Sequence, residues 1–278
     1  MEIARRAFVA GFWVVGFVAL LGGQAAPLTA PPPTLSLEET EAFLLNAKIV
    51  GRKGVSTGVT DTIRATLSDG RLTHDAQIQT VDIAQTLFQA GKASEVNFKD
   101  TYRFNIAAYR LAHLLGLHNV PMSVERRIDG KPGAMTWWID DVQFDEKGRL
   151  KEKSILGPNP DRTTKQVQVM RVFDELIQNR DRNQGNMLWT KDWTLWMIDH
   201  TRAFRLGKEL LKPDQLTRCE RGLFEAMRAL TLESLTQVMG NIMRKDEIQA
   251  LLTRRDVIVK HFEDRIATRG EAVVLYSM

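Results

Sequence analysis

The sequence predicts a two-lobed α+β fold, with a small mixed β lobe followed by a larger, mostly helical one. Three observations carry this. Between about residues 60 and 140, short alternating segments surround a single helical period. From Lys165 on, apolar residues recur mainly at helical spacing. The chain has 278 residues, 44% of them hydrophobic and 26% charged, which is enough for one large domain or two lobes.

The amino terminus reads as an address. Arg5 and Arg6 precede an uncharged run from Ala7 to Gly23, and Gln24, Ala25 and Ala26 supply small residues before Pro27. That order is the order of a secretory signal, with cleavage expected near Ala26 and residues 1–26 removed. The run is slightly short for a membrane span; an uncleaved anchor is the alternative and the only expected membrane contact. Arg5-Arg6-Ala7-Phe8-Val9 also resembles a twin-arginine signal. The expected location is exported, periplasmic or extracellular. Pro27, Pro31, Pro32 and Pro33 make residues 27–36 a stiff linker. The globular domain is expected over 37–278, with a small lobe at 37–142 and a large lobe at 143–278.

Ser36, with Glu39 three residues on, predicts a capping box opening a helix through about Asn46. Gly51, Gly54 and Gly58 punctuate a stretch rich in hydroxyls, including Ser56, Thr57 and Thr60. Ile63–Leu67 alternates like a strand, Ser68-Asp69-Gly70 is a hairpin turn, and Ala76–Val81 alternates again. Tyr102, Ile106, Ala107, Tyr109, Leu111, Leu114 and Leu115 fall on a helical face that Gly116 ends. Val120–Arg126 and Ala134–Ile139 predict two strands around the turn Asp129-Gly130. A helix over Val169–Gln178 runs into a polar loop, Asn179–Asn186. Two short strands follow, Met187–Trp189 and Leu195–Ile198, and Asp199 ends the second. Three or four amphipathic helices fill the chain from Pro213 to about Gly270.

Composition removes several classes. Net charge is +4 with a pI near 9.2, but Lys and Arg are scattered, so no nucleic-acid partner is expected. The one cysteine, Cys219, excludes a disulfide scaffold, and no Cys/His spacing fits zinc. Cys219 reads as an incidental thiol. Arg254, Arg255 and Asp256 read as a solvated helix face, and Asp174 and Glu175 as surface residues. Asp140 and Asp141 read as a solvated strand end, with an extra metal site as the sharper alternative. The tryptophans at 137, 138, 189, 193 and 196 could stack a base, but at strand positions such rings are more often core.

The stretch from Asn179 to Phe204 carries the chemistry. Asp181 lies in a polar loop after a helix, Asn186 follows five residues later, and Asp199 closes the next strand pair. Phosphoryl transfer needs a carboxylate to orient the attacking hydroxyl and hard oxygen ligands to hold a divalent cation on the phosphates. Asp then Asn at this spacing, with a metal Asp after a strand pair, is the arrangement of kinase loops. Taken alone, Asp-x-x-x-x-Asn is ordinary turn chemistry. The strand pair and the Gly-rich hairpin upstream are what lift it above that.

The run DELIQNRDRNQGNMLWTKDWTLWMIDHTRAF resembles the catalytic segment of atypical kinases. These are the HipA-type bacterial kinases, the phosphoinositide-kinase-like group, and the secretory-pathway kinases of the four-jointed and sequence-similarity-20 type. NIAAYRLAHLLGLHNVPMSVERRIDGKPGAMTWWIDD resembles their helix and hinge, and the likeness covers roughly residues 50–206. It implies a protein-kinase-like fold, ATP with Mg2+ or Mn2+, and an acceptor that is a protein or a small molecule. It implies Asp181 as the catalytic base and Asn186 and Asp199 as metal ligands. The Gly-rich turn with Gly54, Ser56, Thr57 and Gly58 would cover the phosphates. The chain departs from the pattern where such kinases pair a strand lysine with a helix glutamate. Gln79 and Asn105 stand there instead, as nucleotide-site residues able to hydrogen-bond each other but lacking the charge that grips phosphate. His200 stands where protein kinases carry phenylalanine. Substitutes for the lysine are Lys53, Lys92, Lys99 or Arg103. Three readings follow: a metal-dependent phosphotransferase, a pseudokinase that regulates a partner, or an enzyme that moves AMP onto a protein.

Overall fold

Ser36 opens the first helix, α1 (Leu37–Asn46), through the expected capping box. Its hydroxyl accepts from Glu39 N at 3.1 Å, and Glu39 Oε2 accepts from Ser36 N at 2.9 Å. The structure, a computed structural model, describes residues 35–54, 62–90, 93–152 and 156–278, and these belong to one unit, Leu35–Met278. The predicted signal and nearly all of the linker lie outside the described residues. Among the described residues, no helix is long and apolar enough to cross a membrane.

Five strands form the sheet of the small lobe: β1 (Lys48–Gly54), β2 (Ile63–Ser68), β3 (Thr73–Gln79), then, after an excursion, β6 (Ser123–Ile128) and β7 (Lys131–Trp137). The order is β1-β2-β3-β7-β6, antiparallel at every junction. The turn between β2 and β3 closes as its Asp-Gly signal requires. Asp69 Oδ1 accepts from the backbone N–H groups of Arg71 and Leu72, and Gly70 takes φ 89°. One face of the sheet buries Ala65, Leu67, Ala76, Ile78, Val124 and Met135 against Phe43 and Leu44 of α1. At about 1.5–3 kcal/mol for each large apolar side chain withdrawn from water, this burial favours one strand register.

The excursion is a long hairpin, β4 (Asp82–Ala90) with β5 (Ala93–Thr101), followed by α2 (Arg103–Leu114). The helix falls where its period predicts. The hairpin does not follow from the sequence pattern, because Ile83, Leu87 and Val96 are exposed and only its base, Phe98 to Thr101, is buried. Helix α2 packs toward both lobes. Phe104, Ala107, Ala108 and Leu111 join the large core, while Tyr109 also touches the sheet core.

A second, three-stranded sheet has the order β10-β9-β8, built from β8 (Val142–Asp145), β9 (Met187–Thr190) and β10 (Leu195–Met197). Between β8 and β9 run α3 (Glu146–Lys151) and α4 (Pro160–Leu176). The carboxy-terminal part holds β11 (Cys219–Glu220), α5 (Arg221–Ala229), α6 (Leu232–Met239), α7 (Lys245–Arg269), α8 (Glu271–Val274) and β12 (Leu275–Tyr276). Their apolar faces close one large core with α4 and α2. The result is the two-lobed α+β architecture.

Two surface assignments are corrected. Arg254 is fully buried in α7, where it donates to Leu176 O at 2.9 Å, Arg205 O at 2.7 Å and Gly207 O at 2.5 Å. Glu175 is buried and accepts from the backbone N–H groups of Leu211 and Lys212 at 2.6 and 2.7 Å. Both charges satisfy main-chain groups, at the end of α4 and in loops, that have no helix or strand partner, and this is why they are inside. Cys219 is also core, in β11, and burial pushes its thiol far up, which keeps it inert.

Candidate active site

The loop that follows α4 is made from its own side chains. Gln178 turns the backbone left-handed, φ 47°, directly after the helix cap. Asn179 then accepts from Asp181 N at 3.1 Å and donates to Asp174 at 3.0 Å. The carbonyl of Asp181 accepts from Asn183 N at 2.8 Å and from Asn186 Nδ2 at 3.1 Å. These bonds join the two loop residues predicted to work together. They also spend the amide nitrogen of Asn186 inward, so its Oδ1 is the end left for a ligand. The Asp181 carboxylate is 43% exposed.

Arg182 ties this loop to the segment that carries Asp199. Its side chain, 9% exposed, takes Asp174 with Nε at 2.9 Å and Nη2 at 3.0 Å. Nη1 donates to Asn186 O at 2.6 Å and Ile198 O at 2.9 Å, and Nη2 lies 2.9 Å from His200 Nε2. The surface assignment of Asp174 is therefore corrected as well: it is the counter-ion of a buried arginine. The donating guanidinium makes His200 Nε2 the acceptor, which puts the ring proton on Nδ1. Burial first, and Arg182 second, hold the His200 imidazole well below its usual range, so it stays neutral.

Asp199 follows β10 with φ 53°, in a left-handed conformation that aspartate tolerates better than most residues. Its Oδ1 accepts from Thr201 Oγ1 at 3.2 Å and from Gln79 Nε2 at 3.4 Å. Burial raises its carboxyl above the usual carboxylate range; the two hydrogen bonds oppose this, and the charges of Asp100 and Asp181 add to it. Gln79, at the end of β3, accepts from Asn105 Nδ2, and Asn105 Oδ1 accepts from His200 N at 2.7 Å. The expected amide pair is thus present, and it connects the sheet, the helix and the segment of Asp199. Gly133 lets β7 pass close to the end of β3: a Cβ there would come within 2.8 Å of the Gln79 main-chain oxygen.

Asp181, Asn186, Asp199, Gln79 and Asn105 accordingly form one cluster. Gly54 ends β1 opposite Ile63, and Ser56, Thr57 and Gly58 lie outside the described residues, as does Lys92. The other substitutes for the missing lysine are placed elsewhere. Lys99 is paired with Glu247, Arg103 lies 3.8 Å from Asp82, and Lys53 is exposed on β1. Asp140 and Asp141 pair with His74 and Lys191. Trp137 stacks on His74 at 3.6 Å, and buried Trp189 donates to Glu146 at 2.8 Å, so both rings serve packing. A small hollow of about 10 Å³, room for about one water, lies among Gln77, Val120, Pro121, Thr136, Asp199 and His200.

Four residues of the cluster have no signal in spacing: Arg182, Asp174, Asp100 and Arg202. Asp100 is 3% exposed and accepts from Arg202 Nε at 2.9 Å. Arg202 Nη1 reaches within 3.7 Å of Asp181 Oδ2. Three carboxylates and one arginine thus share this part of the cleft.

No family model matches the chain, and no curated protein matches it in sequence. Its fold does match solved kinases. The hydra Fam20 structure with sugar superposes with a TM-score of 0.67 at 13% identity, over 86% of this chain and 92% of that one. The Golgi casein kinase with Mn/ADP bound gives 0.62 at 14% identity, over 87% and 79%. The Helicobacter pylori proinflammatory kinase CtkA gives 0.50 at 13% identity, over 84% and 98%. At these identities the likeness is one of fold: the chain has the two-lobed architecture of atypical kinases.

Proposed function

We propose that this chain is a nucleotide- and divalent-metal-dependent phosphotransferase, with Asp181 as the general base and Asn186 and Asp199 as the metal ligands. The observation that carries the reading is the frame around Arg182. It fixes the carbonyls of Asn186 and Ile198 on one guanidinium, and so sets the loop of Asp181 against the segment of Asp199.

The donor set fits a hard cation. One half-buried carboxylate and one amide oxygen are available, and among the described residues no group of three or more His, Cys, Asp or Glu is placed to hold a metal. Magnesium and manganese sites in phosphoryl transfer need few protein ligands, because phosphate oxygens and water complete the shell. Bound there, the cation would neutralise the phosphates of ATP. Asp199 loses its proton to serve as a ligand. Asp181, partly exposed and held through its own backbone, accepts the proton of the acceptor hydroxyl. The acceptor is a protein or a small molecule.

The test is nucleotide- and metal-dependent thermal stabilisation of the purified chain beside Asp199→Ala. A ligand present at 100 times its dissociation constant adds about 2.7 kcal/mol. Stabilisation that needs both ATP and metal, and is lost in Asp199→Ala, supports the reading; stabilisation unchanged by Asp199→Ala refutes it. A regulatory pseudokinase is the second reading, favoured by the buried Gln79–Asn105 pair, which brings no charge to phosphate. Absence of any nucleotide effect in the wild-type chain favours that second reading.

A further inference from the structure

Gln79 leaves the strand position without a cation, so the charge on the transferring phosphoryl group has to come from another residue. The other described cations around the cleft are turned toward groups other than Asp181 and Asp199. Arg182 spends its three nitrogens on Asp174, Asn186 O, Ile198 O and His200. Arg205 is buried 3.0 Å from Glu95, Arg180 lies 3.9 Å from the same carboxylate, and Lys99 is on Glu247.

Among these cations Arg202 alone faces Asp181. It stands three residues after Asp199, and its side chain is 34% exposed. Asp100 grips only its Nε, at 2.9 Å. The Phe98 ring lies beneath the guanidinium, 5.5 Å from centroid to Cζ. Both terminal nitrogens make no hydrogen bond among the described residues, and Nη1 points toward Asp181 Oδ2 at 3.7 Å. A planar fork is therefore held at its base by a buried carboxylate and on one face by an aromatic ring. Its free end lies beside Asp181, close enough to Asp199 to feel that carboxylate's charge. Such a fork suits the paired oxygens of a phosphate better than an ammonium does.

We propose that Arg202 is a catalytic residue that binds the equatorial oxygens of the transferring γ-phosphoryl group, supplying the charge that Gln79 does not. This rests on the phosphotransferase reading. In the step, the acceptor oxygen forms its bond to the γ-phosphorus as the bond to the β,γ-bridging oxygen breaks. The bonding pair leaves with ADP, and the acceptor proton passes to the Asp181 carboxylate. Arg202 gives up no proton; it moves from Asp181 to the phosphoryl oxygens and offsets their charge.

The test compares MgATP and MgADP affinity in the full chain, by titration calorimetry, for wild type, Arg202→Met, Arg202→Lys, Arg202→Ala and Asp199→Asn. Because Arg202→Met leaves Asp100 as a buried unpaired charge, Arg202→Met with Asp100→Asn is measured beside it. Loss of a charge-assisted bond to the γ-phosphate should weaken MgATP binding by about tenfold or more while leaving MgADP within about threefold. Arg202→Lys should retain part of the preference. In Arg202→Ala, low-millimolar guanidinium ion should restore MgATP affinity, a rescue that a purely structural role would not give. If the ATP-to-ADP ratio is unchanged in the Met variants while Asp199→Asn loses metal-dependent binding, the Arg202 assignment falls and the phosphotransferase reading stands. If wild type binds neither nucleotide with metal, both fall.

Discussion

Arg182→Met removes the guanidinium that joins the loop of Asp181 to the segment of Asp199. In wild type the side chains of Arg182 and Asp174 are 9% and 12% exposed, and two backbone carbonyls depend on the same group. Methionine fills a similar length but leaves the Asp174 carboxyl inside without its guanidinium partner. Breaking a buried pair from one side costs about 3–5 kcal/mol. For a unit of this length that lowers the thermal midpoint by about 10 °C. The cost has a separable part. Asp174 also accepts from Asn179 at 3.0 Å, so Asp174→Asn removes the stranded charge and keeps a hydrogen-bonding partner. Adding it to Arg182→Met should recover about 1–2 kcal/mol. Urea denaturation of wild type, the two single variants and the double variant gives the coupling directly. A loss below about 1 kcal/mol for Arg182→Met, or strict additivity in the double variant, would refute the reasoning.

Two further predictions concern buried charge. Because burial raises the Asp199 carboxyl, the folded chain prefers the protonated form. The stability this gives is complete below the ordinary carboxylate range and is lost as pH rises through the raised value. Metal-dependent stabilisation should instead grow over that same window; melting series in pH with and without Mn2+ check this, and Asp199→Asn should flatten both trends. Burial also pulls the Arg254 guanidinium down to about 10, yet three carbonyls bind it. Arg254→Leu should cost about 2–4 kcal/mol in urea denaturation, because those carbonyls lose their donors.

The sequence made the regular parts legible and left much of the site's support hidden. Helix α2 was readable because Tyr102, Ile106, Tyr109 and Leu111 repeat at the helical period, and this also brought Asn105 opposite Gln79. The hairpin of β4 and β5 was not readable, because its strands are exposed over most of their length and impose no inside and outside. The sequence showed Asp181, Asn186 and Asp199, since loop spacing is local. It could not show Asp100 beside Arg202, one hundred and two residues apart, nor Arg182 as a buried staple. A charged residue in one dimension reads as surface; only the fold reveals which loop carbonyls or N–H groups it must satisfy, as at Glu175 and Arg254.

The amide of Asn105 is used at both ends, toward Gln79 through its nitrogen and from His200 N through its oxygen. A lysine–glutamate pair in that place can be loosened by salt or drawn apart by a competing charge, and that sensitivity gives a handle for switching. An amide tie does not titrate and does not respond to ionic strength. It also has a direction: turning the amide over breaks both of its bonds together. Helix α2 is therefore mechanically latched to the backbone that follows Asp199. Any rotation of the helix away from the cleft must drag that backbone with it or break the latch outright, so force on α2 reaches the Asp199 segment without passing through a charge.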